Sequence, residues 1–130
     1  MRARGTFEVK ITPRVPDGEP DALGRMSLEK VYRGDLEGTG RGEMLTALAS
    51  VAGSGAYVAL EVVRGTIAGR RGAFAIQHRG VMTRGVPDLT VTVVPDSGTE
   101  ELAGISGTLA IDIRDGKHFY ELDYELPAEK

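Results

Sequence analysis

The sequence contains no cysteine and no tryptophan. A chain without cysteine has no disulfide, no thiolate nucleophile, no zinc–thiolate site and no iron–sulfur cluster. Any redox chemistry would therefore need a cofactor that other residue types hold.

Neither sign of charge dominates, since 16 Lys and Arg oppose 19 Asp and Glu for a formal net charge of −3. Phosphate-rich partners select for clustered positive charge, so we expect no nucleic-acid and no membrane partner. No apolar run approaches the roughly 18 residues of a membrane span, and Met1–Gly5 leads into alternating residues without the apolar region of a secretory signal. We therefore expect a cytoplasmic protein.

Glycine makes up 18 of 130 residues, about twice the usual fraction of roughly 7%. The glycines lie singly or in pairs between β-branched residues, which is typical of the bends and ends of strands. Apolar and polar residues alternate with a period of two, as in Thr6–Thr12. The pattern predicts eight strands: Thr6–Thr12, Arg25–Arg33, Leu36–Leu48, Tyr57–Ile67, Ala73–Thr83, Leu89–Val94, Leu109–Ile113 and His118–Leu126.

The connections between these strands are mostly short. Pro13–Gly24 has the composition of an exposed loop, and Ala68–Gly72 and Asp115–Gly116 have that of turns. The glycine-spaced run Gly38–Gly42 would let a sheet bend sharply. Leu45–Ala52 fits a helical turn as well as a strand end, and the pattern leaves that choice open.

Short strands with regular turn signals indicate a sandwich or a barrel, and periodicity does not decide between the two. A closed barrel would remove the exposed edges of a small sheet. The chain shows no internal repeat and no composition boundary. We therefore expect one β-barrel domain over residues 1–130.

Several segments resemble an uncharacterised bacterial family of small domains of unknown function that have the barrel of allene oxide cyclase. They are Gly34–Gly38, Gly55–Val63, Gly72–His78, Ser97–Gly107 and His118–Tyr124. The resemblance implies an all-β fold, an eight-stranded antiparallel closed barrel with a central cavity, shared with plant allene oxide cyclase, dirigent proteins and bacterial spirotetronate cyclases. Those relatives guide cyclisation or coupling of a mainly apolar molecule without a metal or redox cofactor. A shared fold implies little about the reaction.

Alternation predicts which polar side chains face the barrel interior. In the last strand His118, Tyr120 and Tyr124 share one face opposite a charged face, so they are expected inside. In the strand Ala73–Thr83, His78 shares the apolar face with Phe74. Tyrosines that fill a barrel end and a hydrogen-bonded core histidine are the structural alternatives to ligand-binding roles.

Neither face of Tyr57–Ile67 is purely polar, so the direction of Glu61 stays open. If Glu61 points inward, desolvation would raise its pKa and suit it to general acid or base catalysis. If it points outward, it is an ordinary solvated carboxylate. Lys30 lies on the apolar side of its strand, where it could pair with Glu61.

Several motifs are missing. No His-x-His pair is present, so we expect no metal. Gly38–Gly42 matches neither the dinucleotide nor the phosphate-loop pattern, and no serine lies in a nucleophile elbow. The missing tryptophan argues against a lipocalin. We therefore expect no cofactor.

The leading hypothesis is a barrel whose cavity binds an apolar or aromatic small molecule. If it is an enzyme, it would be a cofactor-independent isomerase or cyclase in which Glu61 or His78 moves a proton. The alternative is a non-catalytic structural or interaction module, a barrel filled with side chains whose outer surface forms a homodimer or other homo-oligomer or docks a partner protein. The expected ligand-binding residues are Lys30, Tyr57, Phe74, His118, Tyr120 and Tyr124.

Overall fold

The alternating segments form eight antiparallel strands that close into a barrel. The structure is a computed structural model that describes residues 1–13 and 23–127. Each strand pairs with the next, and β8 pairs with β1. This confirms the predicted all-β, eight-stranded closed barrel. The strands are β1 Arg2–Pro13, β2 Gly24–Gly34, β3 Leu36–Leu48, β4 Gly55–Ile67, β5 Arg70–Thr83, β6 Val86–Val93, β7 Ser106–Arg114 and β8 Lys117–Glu125.

Three of the hairpins turn within two residues. Ala68–Gly69, Arg84–Gly85 and Asp115–Gly116 each have positive φ at both positions, as in the type I′ turns that match the twist of paired strands. The predicted five-residue turn Ala68–Gly72 is therefore too long, and β5 begins at Arg70.

The structure decides between the strand end and the helical turn that the sequence allows for Leu45–Ala52. The strand β3 continues to Leu48 and a turn follows, so the helical alternative for Leu45–Ala52 is wrong. The ladder with β4, which extends to Gly55, satisfies the backbone of this segment. Of the predicted loop Pro13–Gly24, residues 14–22 lie outside the described residues.

The strand β6 begins at Val86, earlier than predicted, and it includes Pro87. It pairs with β5 over most of its length, whereas its described pairing with β7 consists of Thr92 with Thr108. A proline, which has no N–H to donate, is tolerated where a strand has a free side. The barrel therefore has a loosely paired seam between β6 and β7.

One end of the barrel, where β4 and β6 finish, is filled by the segment 94–105. The Thr99 N–H donates to the Ala73 carbonyl over 2.8 Å, which holds this segment beside β5. A 3₁₀ turn at Glu100–Leu102 then directs Leu102 into the core, where Leu102 and Ile105 are 0% and 1% exposed. We call this end the closed end.

At the opposite end, inward-facing side chains become exposed to solvent. Along each strand, positions two apart share a face. The exposed fraction rises from 5% at Phe7 to 48% at Ile11, from 0% at Ile76 to 43% at Met82, and from 6% at Leu109 to 62% at Ile113. We call this end the open end. Among the described residues, no helix is long and apolar enough to cross a bilayer.

Leu102→Ala should destabilise the barrel by about 2–5 kcal/mol, because it leaves a cavity under the closed end. Urea unfolding measures the loss. Leu48→Ala, at a side chain that is 92% exposed, is the matched control and should stay within about 0.5 kcal/mol of the parent. Equal effects of the two substitutions would contradict a packed closed end.

Candidate functional site

The centre of the barrel contains a buried carboxylate. β4 directs Glu61 inward, where its side chain is 0% exposed. Its Oε1 accepts from Lys30 Nζ over 2.8 Å and lies 3.0 Å from His78 Nε2. Its Oε2 accepts from the Tyr32 hydroxyl. Three side chains from β2 and β5 therefore satisfy one buried charge.

The bare inward face of β3 makes room for this carboxylate. Gly38, Gly40 and Gly42 occupy alternate positions there, and a Cβ on Gly40 would lie 2.1 Å from Glu61 Oε2. No residue larger than glycine fits at position 40 unless Glu61 moves. The glycine run that predicts a bend thus also creates the space for Glu61.

Lys30 is held by aromatic rings as well as by its ion pair. Its ammonium lies 4.9 Å from the centre of the Phe7 ring and 5.9 Å from that of Tyr32. Such contacts contribute more where water is excluded, and Lys30 is 6% exposed. The sequence suggested that Lys30 could pair with Glu61, and the structure shows the pair.

The protonation of the cluster follows from its donors. Burial opposes ionisation of Glu61, but the hydrogen bonds from His78, Lys30 and Tyr32 and the Lys30 charge outweigh it and lower the Glu61 pKa. Burial, then the Glu61 charge, raises the pKa of Tyr32. Glu61 is therefore a carboxylate at neutral pH and Tyr32 is its donor. The expectation that an inward Glu61 would have a raised pKa is wrong, because three donors surround it.

His78 is the member of the cluster with an unused nitrogen. It is 3% exposed and contacts Glu61 through Nε2, whereas Nδ1 has no hydrogen-bond partner within the described ranges. In a neutral imidazole whose Nε2–H donates to a carboxylate, Nδ1 keeps a free lone pair. Carboxylates orient imidazole bases in this way in acid–base catalysis.

A pocket of about 410 Å³ lies at the open end along β3–β6. Tyr57, Gly80, Met82 and Leu89 line it from inward positions. The Tyr57 ring lies over Gly80, where a Cβ would approach it to 2.2 Å. Tyr57 pairs with Gly80, and the next inward pair is Ala59 with His78. The pocket is therefore one residue pair from the buried cluster.

The rim of this pocket is held by hydrogen bonds between two loops. The Gly85 N–H donates to the Gly53 carbonyl over 2.9 Å, and the Arg84 N–H donates to Ser54 Oγ over 3.0 Å. Two other grooves, of about 450 and 640 Å³, are lined mainly by outward-facing residues such as Arg4 and Arg41. The pocket at the open end thus differs from them in facing the interior.

Methionines are concentrated around the open end. Met26 pairs with Met44 across β2 and β3, and Met82 lines the pocket. Only Met1 of the chain's four methionines lies elsewhere. Thioether side chains are flexible and adapt to varied apolar partners.

The other side chains predicted to bind a ligand lie apart from the pocket. Phe74, Tyr120 and Tyr124 are 2%, 2% and 4% exposed and belong to the packed core. The Tyr120 hydroxyl accepts from the Leu36 N–H over 2.9 Å, which fixes the β2–β3 turn. His118 is partly buried at the start of β8, with its ring 5.1 Å from that of Phe7.

Sequence reasoning missed Tyr32 and Gly40 as parts of the site. Alternation places Tyr32 on the same face as Lys30, which is a usable signal for its inward direction. Its hydrogen bond to Glu61 depends on how β2, β3 and β4 are aligned, and no local pattern contains that alignment. Residues 1–13 and 23–127 contain no group of three or more His, Asp or Glu side chains placed to hold a metal ion.

Comparison with known proteins identifies the family. A model described as "Protein of unknown function (DUF3224)" matches residues 3–124. The chain belongs to the DUF3224 family. A solved DUF3224 protein with unknown function, from Shewanella oneidensis MR-1 at 1.84 Å resolution, is 45% identical and has a TM-score of 0.92. The match covers 99% of this chain and 98% of that one. No curated protein matches.

These findings confirm that the chain is a DUF3224 barrel from an uncharacterised family. They do not connect that barrel to allene oxide cyclase. Both the family and its solved member are described as being of unknown function.

Comparing the unfolding free energies of the parent and Glu61→Gln at several pH values should show that the Glu61 charge stabilises the fold. Since folding lowers the Glu61 pKa, ionised Glu61 stabilises the fold above its unfolded pKa of about 4.3, and this contribution is lost as pH falls through the folded pKa. Urea unfolding from about pH 7 to about pH 3 should show the parent losing its advantage over Glu61→Gln.

Glu8→Gln, at an exposed position of β1, measures the effect of the same substitution outside the cluster. If the difference between parent and Glu61→Gln did not change with pH, Glu61 would not be ionised in the fold.

Proposed function

We propose that this barrel binds an apolar or aromatic small molecule through its open end. The observation that carries the proposal is the exposure of inward-facing apolar side chains in the pocket there, with Met82 at 43% and Leu89 at 39%. Soluble proteins rarely leave apolar surface in a concave site without a use for it. The pocket of about 410 Å³ falls within the usual range for small-molecule sites.

The seam between β6 and β7 supplies a route into the interior. Leu89 on β6 and Ile113 on β7 are 39% and 62% exposed, whereas Val91 and Leu109, further toward the closed end, are 2% and 6% exposed. The walls of the seam are therefore apolar from the surface inward. A ligand that enters there replaces water on these side chains, which favours binding at about 25 cal/mol per Å² of apolar surface.

At the inner end of the site, His78 and Lys30 would meet the polar atom of the ligand. His78 Nδ1 can accept a proton, and Lys30 Nζ makes one hydrogen bond of the three that an ammonium offers. Tyr57 forms the aromatic wall beside them. This supports a cofactor-independent isomerisation or cyclisation, in which a C–H proton passes to Nδ1 and returns to another atom of the same molecule. Glu61 then orients His78 and carries no proton itself.

Titration with N-phenyl-1-naphthylamine, a neutral apolar dye that fluoresces when desolvated, tests the binding site. The parent should show saturable fluorescence, and Leu89→Glu should weaken binding by about tenfold or more, because it buries a charge against the ligand. Leu60→Glu makes the same change on the outer wall, where Leu60 is 61% exposed, and should leave the affinity unchanged.

Absence of saturable binding to the parent would overturn the proposed site. If Leu89→Glu and Leu60→Glu weakened dye binding equally, the dye would not be bound specifically in the pocket, and the proposed site would also be overturned.

A second candidate function, association between copies of the chain, is favoured by the outer wall. Val58, Leu60 and Val62 alternate along β4 at 51%, 61% and 53% exposure, although they are aliphatic. Glu43 flanks Leu60 on β3, and Gln77 flanks it on β5, next to Arg79. A two-fold axis along β4 would pack the aliphatic row on itself and bring Glu43 of each copy toward Arg79 of the other.

Light scattering during gel filtration tests this association. The parent should have the mass of a dimer at micromolar concentration, and Leu60→Glu should have that of a monomer, because it would place two like charges in the apolar contact. Leu48→Ala, outside this face, should remain dimeric. A monomeric parent would exclude a stable dimer through β4.

A further inference from the structure

The buried cluster has balanced charges. Lys30 and Glu61 lie 2.8 Å apart with side chains that are 5% and 0% exposed. The lowered Glu61 pKa keeps that carboxylate ionised, so its charge cancels that of Lys30. The Lys30–Glu61 ion pair therefore adds no net charge to the barrel interior.

Few other charged groups face the interior. On the inward positions of the described strands, the remaining charged or basic side chains are His118, which stacks on Phe7 near the open end, and Arg70, the first residue of β5 at the closed end. Asp88 lines the pocket from the outward face of β6. No second inward-facing cation therefore lies beside His78 in the described structure.

This balance discriminates between ligands that differ in charge. A carboxylate brought to His78 would give a water-poor site one uncompensated negative charge, which is strongly unfavourable. A neutral hydroxyl or carbonyl needs only hydrogen bonds. His78 Nδ1 can accept from a hydroxyl, and the unused N–H groups of Lys30 can donate to a carbonyl.

We propose that the natural ligand is electrically neutral, an apolar body with a hydroxyl or carbonyl group, and that the Lys30–Glu61 pair selects against carboxylates. This inference rests on the proposed binding function. It narrows the ligand to compounds such as phenols, alcohols and ketones. Fatty acids and other carboxylates are excluded by the same charge balance.

Displacement of N-phenyl-1-naphthylamine by 2-naphthol and by 2-naphthoate, near pH 8, tests the inference. The two compounds share a ring system and differ in carrying a hydroxyl or an ionised carboxylate. The parent should bind 2-naphthol at least tenfold more tightly. A preference for 2-naphthoate would overturn the neutral-ligand inference and leave the binding function standing.

Three variants then change the charge of the cluster in known steps. Lys30→Met makes it negative and should increase the preference for 2-naphthol. Glu61→Gln makes it positive and should reduce or reverse that preference. The double variant Lys30→Met, Glu61→Gln restores neutrality and should recover the parental ratio.

If Glu61→Gln had the same ratio of 2-naphthol to 2-naphthoate affinity as the parent, the charge balance would have no role in selectivity. If one single variant fails to fold, the other decides the question, because each single variant changes the charge of the cluster by one unit. If the dye itself does not bind, the proposed binding function fails, and the charge selectivity fails with it.

Discussion

The interior of this barrel depends on the compensation of one buried charge, the carboxylate of Glu61. A carboxylate without partners in an apolar barrel would cost several kcal/mol or take up a proton. Lys30 and Tyr32 from β2 and His78 from β5 supply its hydrogen bonds, and Gly40 of β3 supplies the space. Four consecutive strands must therefore be in register for the charge to be tolerated.

The two ends of the barrel differ on either side of this charge. Toward the closed end, Tyr120 and Leu102 are packed or hydrogen-bonded within the core. Toward the open end, the inward-facing side chains are apolar and partly exposed. The polar cluster thus lies between a packed core and the partly exposed apolar side chains of the open end.

Local patterns predict much of this fold and less of its site. Alternation with period two predicts the eight strands and the inward direction of His78 and Tyr120, because one face of each strand is distinctly more polar. It fails for Glu61, since Val58, Leu60 and Val62 make the opposite face of β4 equally apolar. The Glu61 pKa could not be predicted, because its donors come from strands distant in the sequence and depend on register.

The ambiguity of β4 is itself informative about function. A strand with an aliphatic outer face and one charged residue on its inner face is poorly explained by solubility or by core packing alone. Both faces have a use if the outer face contacts a second copy and the inner face carries Glu61 and Tyr57. Association through the outer face would then use the outward side chains of the same strand whose inward side chains, Glu61 and Tyr57, belong to the cluster and the pocket.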